Sequence, residues 1–133
     1  MKKILLAVFL VLAVSVIFAN SANVFSTNDP TARWTNTFGI GFPNFGSLMR
    51  NNFGQIIGVS GFNVLLGYSQ KNYFKPLKTG IFNGYWGWGT YLLIVPYVDL
   101  GVDYVMDSGF YLGGTIGLSL LFPMIGVDIG AYY

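Results

Sequence analysis

The chain has 133 residues, 53% hydrophobic, 18% aromatic and only 9% charged, with a formal net charge of +2. Ordinary soluble domains carry about 25% charged residues, so water is a poor match for this surface unless the apolar part is buried or faces lipid. His, Cys and Glu are all absent, which excludes nucleophile–histidine pairs, glutamate acid–base chemistry, the usual zinc and iron ligand sets and any disulfide framework.

Lys2 and Lys3 precede an apolar run from Ile4 to Val14, which Ser15 interrupts and which resumes through Phe18. The small polar stretch Ala19-Asn20-Ser21-Ala22 follows. This order predicts a secretory signal peptide over residues 1–22, cut after Ala19 or Ser21. The run falls short of the ~20 apolar residues of a spanning helix; an uncleaved anchor is the alternative. Residues 23–133 then form a single domain. Its charges are Arg33, Arg50, Lys71, Lys75 and Lys78 against Asp29, Asp99, Asp103, Asp107 and Asp128, so they cancel. Without a basic face, nucleic acid is excluded as a partner.

Residues 32–42 alternate. Trp34, Phe38, Ile40 and Phe42 share one face, interrupted by Asn36, and Arg33, Thr35, Thr37, Gly39 and Gly41 share the other. Period two of this kind makes a strand with two unlike faces. Further strands are predicted at 53–59 and at 62–69, where Phe62, Val64, Leu66 and Tyr68 oppose Asn63, Leu65, Gly67 and Ser69. The stretch 69–80 reads as one long polar connection, followed by a strand near 80–88. The aromatic, glycine-rich residues 84–91 suit girdle or lumen packing, with carbohydrate stacking as the alternative.

In the strand at 91–106, Val98, Leu100, Val102, Tyr104 and Met106 point one way, and Asp99, Gly101, Asp103 and Val105 the other. In 110–122 the nearly all large, apolar set is Phe110, Leu112, Gly114, Ile116, Leu118, Leu120 and Phe122, against the mostly small or polar Tyr111, Gly113, Thr115, Gly117, Ser119 and Leu121. Gly109, Gly113 and Gly117 also fit the small-residue spacing of packed membrane helices. A helix would scatter the small polar set around its circumference, whereas a strand gathers it on one face. The last strand, 125–133, carries Ile125, Val127, Ile129, Ala131 and Tyr133 on one side and Gly126, Asp128, Gly130 and Tyr132 on the other.

The polar faces hold glycine, threonine, serine and a few aspartates, not the lysines and glutamates of a soluble exterior. Turning the large apolar set outward resolves this. The predicted fold is all-β: an antiparallel up-and-down meander closing into a small transmembrane β-barrel of about eight strands, apolar outside and polar inside. Phe110 and Phe122, and Trp34 and Phe42, would bracket the apolar band as aromatic girdles. Seven strands are clear. Either 91–106 breaks near Pro96, or residues 45–50 supply a short eighth.

Ile125, Val127, Ile129, Ala131 and Tyr133 form an alternating apolar row that closes on an aromatic ring. This row resembles the C-terminal strand of bacterial outer-membrane β-barrel proteins. The resemblance covers the last nine residues and implies an outer-membrane location, membrane lipid as surroundings and the barrel-assembly machinery as a partner.

Phase makes Arg33, Asp99, Asp103 and Asp128 the lumenal polar residues. Because the first and last strands of a closed barrel pair, Arg33 and Asp128 are expected to interact directly or through water. Asp99 and Asp103 lie ~13 Å apart along a strand, too far to ligate one calcium ion, so no metal or cofactor is expected. The expected role is structural or interactive, not enzymatic. An oligomeric cation-preferring pore and a secreted soluble β-domain binding a hydrophobic or carbohydrate ligand are the alternatives.

Overall fold

The computed structural model describes residues 29–133; the predicted signal peptide, residues 1–22, lies outside the described residues. A 3-10 turn, Pro30–Arg33, starts behind Asp29, whose carboxylate accepts the Thr31 backbone N–H. Eight strands follow: β1 (Asn36–Ile40), β2 (Phe45–Arg50), β3 (Ile56–Asn63), β4 (Gly67–Tyr73), β5 (Phe82–Tyr91), β6 (Val95–Val105), β7 (Phe110–Ser119) and β8 (Pro123–Tyr132). Each pairs antiparallel with the next, and β1 pairs with β8, so the meander closes into an eight-stranded barrel. Closure leaves no unpaired edge, which removes the main liability of an isolated sheet.

The register is staggered. One row of partners runs Asn36, Ser47, Ser60, Gln70, Trp88, Val98, Leu118, Pro123. Asn36 itself exchanges both backbone hydrogen bonds with Tyr133, at 3.0 Å each. A row followed once around therefore returns ten residues displaced along β8, and strands staggered like this tilt by about 40° to the barrel axis.

Glycine makes room inside. An interior of eight strands is just wide enough for side chains to fill. Tyr85 sits across from Gly101, Tyr97 from Gly89 and Tyr111 from Gly130. A Cβ on any of these glycines would fall on the facing tyrosine ring or hydroxyl. Each ring folds over the bare backbone opposite it, so the inward alternation of glycine and tyrosine is one packing device. Trp34, Ile56, Val59, Tyr73, Leu77, Tyr85, Val105, Tyr111 and Tyr132 form the buried apolar cluster.

The structure departs from the sequence reading at specific places. The eighth strand is residues 45–50, and Pro96 lies inside β6 rather than at a break. The predicted strand 62–69 straddles a hairpin: Val64, Leu65 and Leu66 are its turn, and Leu66 has φ 55°. The apolar turn gave none of the glycine or asparagine signal that marks hairpins. The predicted polar connection 69–80 begins as strand, because β4 runs on through Lys71 to Tyr73. Trp34 and Phe42 do not bracket an outer face. Trp34 precedes β1 and stacks on Tyr132 at 5.6 Å, while Phe42 follows β1 and meets Tyr91 and Tyr97, each at 5.6 Å. Both rings lie just beyond the strand, where alternation no longer dictates direction, and they cover the two ends of the lumen.

Candidate functional site

The lumen holds a charge cluster centred on Lys71 of β4. Its Nζ donates to Asp103 Oδ2 on β6 at 2.9 Å and to Asp128 Oδ2 on β8 at 3.0 Å. The same ammonium lies 4.0 Å from the centre of the Tyr85 ring. Tyr73 donates its hydroxyl to Asp103 Oδ2 at 2.8 Å, and Tyr85 donates to Asp128 Oδ2. The hydroxyls of Tyr73 and Tyr132 share a further hydrogen bond. Tyr132 stacks on Tyr111 at 4.8 Å, and Thr37 Oγ1 reaches the Tyr111 hydroxyl at 3.4 Å. Asp103 is 0% exposed and Lys71 4%. Since β4 and β8 stand half a circuit apart, the ion pairs tie opposite walls.

A second layer fills the Phe42 end. Ser69 accepts from Asn63 Nδ2 at 2.8 Å and from the Tyr97 hydroxyl at 2.7 Å. Tyr91 and Tyr97 stack at 4.7 Å beneath Phe42. Asp99 is buried nearby, on the same inner face of β6 as Asp103. The Oδ1 atoms of Asp99, Asp103 and Asp128 have no hydrogen-bond partner. Each lies against a glycine: Gly87 of the neighbouring β5, Gly113 of the neighbouring β7 and Gly41 of the turn after β1, respectively.

Of the four lumenal residues expected from phase, Asp103 and Asp128 meet around one cation, and Asp99 is inside but apart from that pair. Arg33 is elsewhere. It ends the 3-10 turn before the wall begins, and Asp128 is held by Lys71 and Tyr85 in place of Arg33. Sequence reasoning missed Lys71 because residues 69–80 read as a loop. The signal was present in Gly67, Ser69, Lys71 and Tyr73, which keep period two. Among the described residues, no group of three or more potential metal-ligating side chains forms a metal site.

The outer face is of the opposite kind. Trp86, Val98, Leu100, Ile116 and Leu118 line an apolar groove of about 490 Å³ on the wall. Around it stand exposed Trp88, Val102, Leu112, Ile125 and Val127. The last strand shows the phase expected for its outer row: Ile125 and Val127 are exposed, while Ala131 is covered and lies between its partners Phe38 and Phe110. No family model, no curated protein and no solved structure matches this chain.

One interruption in the outer wall is polar. Asn36, Ser47, Ser60 and Gln70 are cross-strand neighbours in the staggered row, climbing from the Trp34 end across β1 to β4. Ser47 Oγ donates to Asn36 Oδ1 at 3.2 Å, and Gln70 Nε2 donates to Asn72 Oδ1 at 2.8 Å.

The glycine–tyrosine device makes a direct prediction. Gly101→Ala puts a Cβ on the Tyr85 ring and against the Gly114 carbonyl, and overpacking of this kind costs about 1–3 kcal/mol. Gly114→Ala meets only the Gly126 carbonyl, at 3.8 Å, and is expected to stay within about 0.5 kcal/mol. Urea unfolding midpoints in detergent check the pair; equal midpoints would remove the packing role given to Gly101.

Proposed function

We propose that the protein is a small integral outer-membrane β-barrel with a structural or interaction role. One observation carries the reading: the barrel is inside-out relative to a soluble one. Its lumen holds Lys71, Asp99, Asp103 and Asp128, and its outer wall holds Trp86, Val98, Leu100, Ile116, Ile125 and Val127. Monomeric soluble proteins rarely expose a continuous apolar surface of that kind, whereas strands that alternate apolar-out and polar-in are what a lipid environment selects. Closure also satisfies the strand backbone without water, the condition for crossing hydrocarbon. The side-chain hydrogen bonds along the Asn36–Gln70 row lower the penalty of its polar groups in such surroundings.

The location in an outer membrane rests on the signal-like residues 1–22 and on the resemblance of β8, with Tyr133, to the strand read by the barrel-assembly machinery. A filled lumen supports a closed barrel over a monomeric pore. Three measurements test this. Boiling is expected to change electrophoretic mobility in detergent gels, and the protein is expected to fractionate with outer membranes and to give no conductance in planar bilayers. Release in soluble form without detergent would remove the membrane reading, and steady single-channel steps would remove the closed one.

A further inference from the structure

We propose that the Phe42 end of the barrel is immersed in the acyl chains of the membrane and does not emerge into water on the far side. The inference rests on the membrane reading and adds to it which end is submerged.

The two ends differ in chemistry. At the Trp34 end the turns are residues 51–55, 74–81 and 106–109, and they carry Asn51, Asn52, Gln55, Lys75, Lys78 and Asp107. Arg50 caps that end by donating to the carbonyls of Thr31 at 2.8 Å and Trp34 at 2.6 Å. At the Phe42 end the turns are residues 41–44, 64–66, 92–94 and 120–122. Three of them read Val-Leu-Leu, Leu-Leu-Ile and Leu-Leu-Phe, and their side chains stand out: Leu93 is 75% exposed, Ile94 79% and Leu120 78%. Among the described residues, every charge outside the lumen belongs to the Trp34 end. A barrel that reached water on both sides would carry polar loops at both.

The backbone sharpens the case. Leu66, Leu92 and Leu93 have φ of 55°, 47° and 66°, in the left-handed region. Ile94 N–H returns to Tyr91 O at 3.0 Å, so within the three-residue connection 92–94 Leu92 and Leu93 are the central residues of a β-turn, both at positive φ. Such turns ordinarily take Asn-Gly or Asp-Gly, because branched side chains are strained there. Leucine at these sites opposes local stability and, in water, solvation as well. In hydrocarbon the second objection reverses.

Hydrocarbon also demands that exposed backbone find its own partners. The tips do so. Leu92 N–H donates to Leu65 O at 2.8 Å and Leu93 N–H to Leu66 O at 2.9 Å, joining neighbouring hairpins tip to tip. Asn44 Oδ1 accepts the Val64 N–H at 2.9 Å. Ser119 Oγ accepts from Leu121 N–H at 3.2 Å and Phe122 N–H at 3.1 Å.

A second copy docked tip to tip would cover the turns alone. Lipid covers them together with the side wall, with which Leu118–Leu120 and Ile94–Val98 are continuous in sequence, and this continuity selects acyl chains as the occupant.

The chain has no cysteine, so single labels can be placed at will. Leu93→Cys marks the tip, Val98→Cys the wall and Asp107→Cys the Trp34 end, each carrying an environment-sensitive fluorophore in phosphatidylcholine vesicles. The expected pattern is quenching of the Leu93 and Val98 labels by brominated acyl chains, with only the Asp107 label open to aqueous iodide. A Leu93 label open to iodide beside a lipid-quenched Val98 label overturns the tip inference alone. Iodide access at both overturns the membrane reading. A Leu93 label shielded from iodide yet unquenched by brominated lipid, in a protein that crosslinks as a dimer, assigns the tip to a second copy and overturns the proposal. Leu92→Asn with Leu93→Gly supplies an arm of opposite signs: a higher unfolding midpoint in micelles and a smaller fraction retained in vesicles. A rise in both overturns it.

Discussion

Replacing Lys71 with methionine is expected to destabilise the barrel by about 3–5 kcal/mol, the loss typical of breaking a buried ion pair from one side. Two carboxylates share this ammonium, Asp103 at 2.9 Å and Asp128 at 3.0 Å, on strands that come from different parts of the barrel. Methionine matches much of the lysine stem, so the loss is electrostatic and not a matter of volume. It leaves Asp103 and Asp128 facing each other without a counter-ion in a filled lumen. The tyrosine hydroxyls of Tyr73 and Tyr85 still donate to them, but hydrogen bonds from neutral donors do not cancel two charges. The companion variant Lys71→Met, Asp103→Asn, Asp128→Asn separates charge from packing. It is expected to recover most of the loss, since replacing every member of a buried ionic group is often close to neutral. The midpoint of urea unfolding, read from the folded band in unboiled detergent gels, measures both. A loss below about 1 kcal/mol for Lys71→Met would mean that water reaches the cluster.

Tyr132→Ala is the second large effect, expected at about 3–5 kcal/mol. The Tyr132 ring is 1% exposed and lies between Trp34 at 5.6 Å and Tyr111 at 4.8 Å. Removing it opens a cavity beneath the ring that covers the Trp34 end and takes away the hydroxyl bonded to Tyr73, which keeps its own bond to Asp103. Tyr132→Phe keeps the stack and loses only the hydroxyl bond to Tyr73, so it is expected to cost about 1 kcal/mol. Thermal unfolding in detergent orders the three proteins. Equal losses for both variants would shift the role of Tyr132 from packing to hydrogen bonding.

These two sites were unequally legible. Tyr132 could be placed inside from its neighbours, because Gly126, Asp128 and Gly130 set the phase of β8. Lys71 was missed although Gly67, Ser69 and Tyr73 share its phase, because its strand begins after an apolar turn made of Val64, Leu65 and Leu66 and runs into residues 69–80, which read as a loop. Reading turns from polarity and glycine presumes that turns are polar, and the three turns at the Phe42 end, residues 64–66, 92–94 and 120–122, are apolar. The same presumption placed residues 62–69 in one strand. Arg33 failed for another reason: period two was extended past the start of β1, into residues that form a 3-10 turn. Trp34 and Phe42 failed likewise, each lying just outside the strand whose phase was applied to them.

By itself the sequence determined the strand character of the chain, the two faces of most strands and the inward placement of Asp99, Asp103 and Asp128. These follow from backbone geometry, because successive side chains of any strand must point to opposite sides. Only the tertiary structure decided that residues 45–50 complete the eight strands, that Lys71 reaches across to Asp103 and Asp128, and that Tyr85, Tyr97 and Tyr111 fold over Gly101, Gly89 and Gly130. Each of these depends on the register and on the ten-residue stagger of closure, which bring together residues far apart in the chain. A local pattern carries the direction of a side chain, but it does not carry the identity of the wall that faces it.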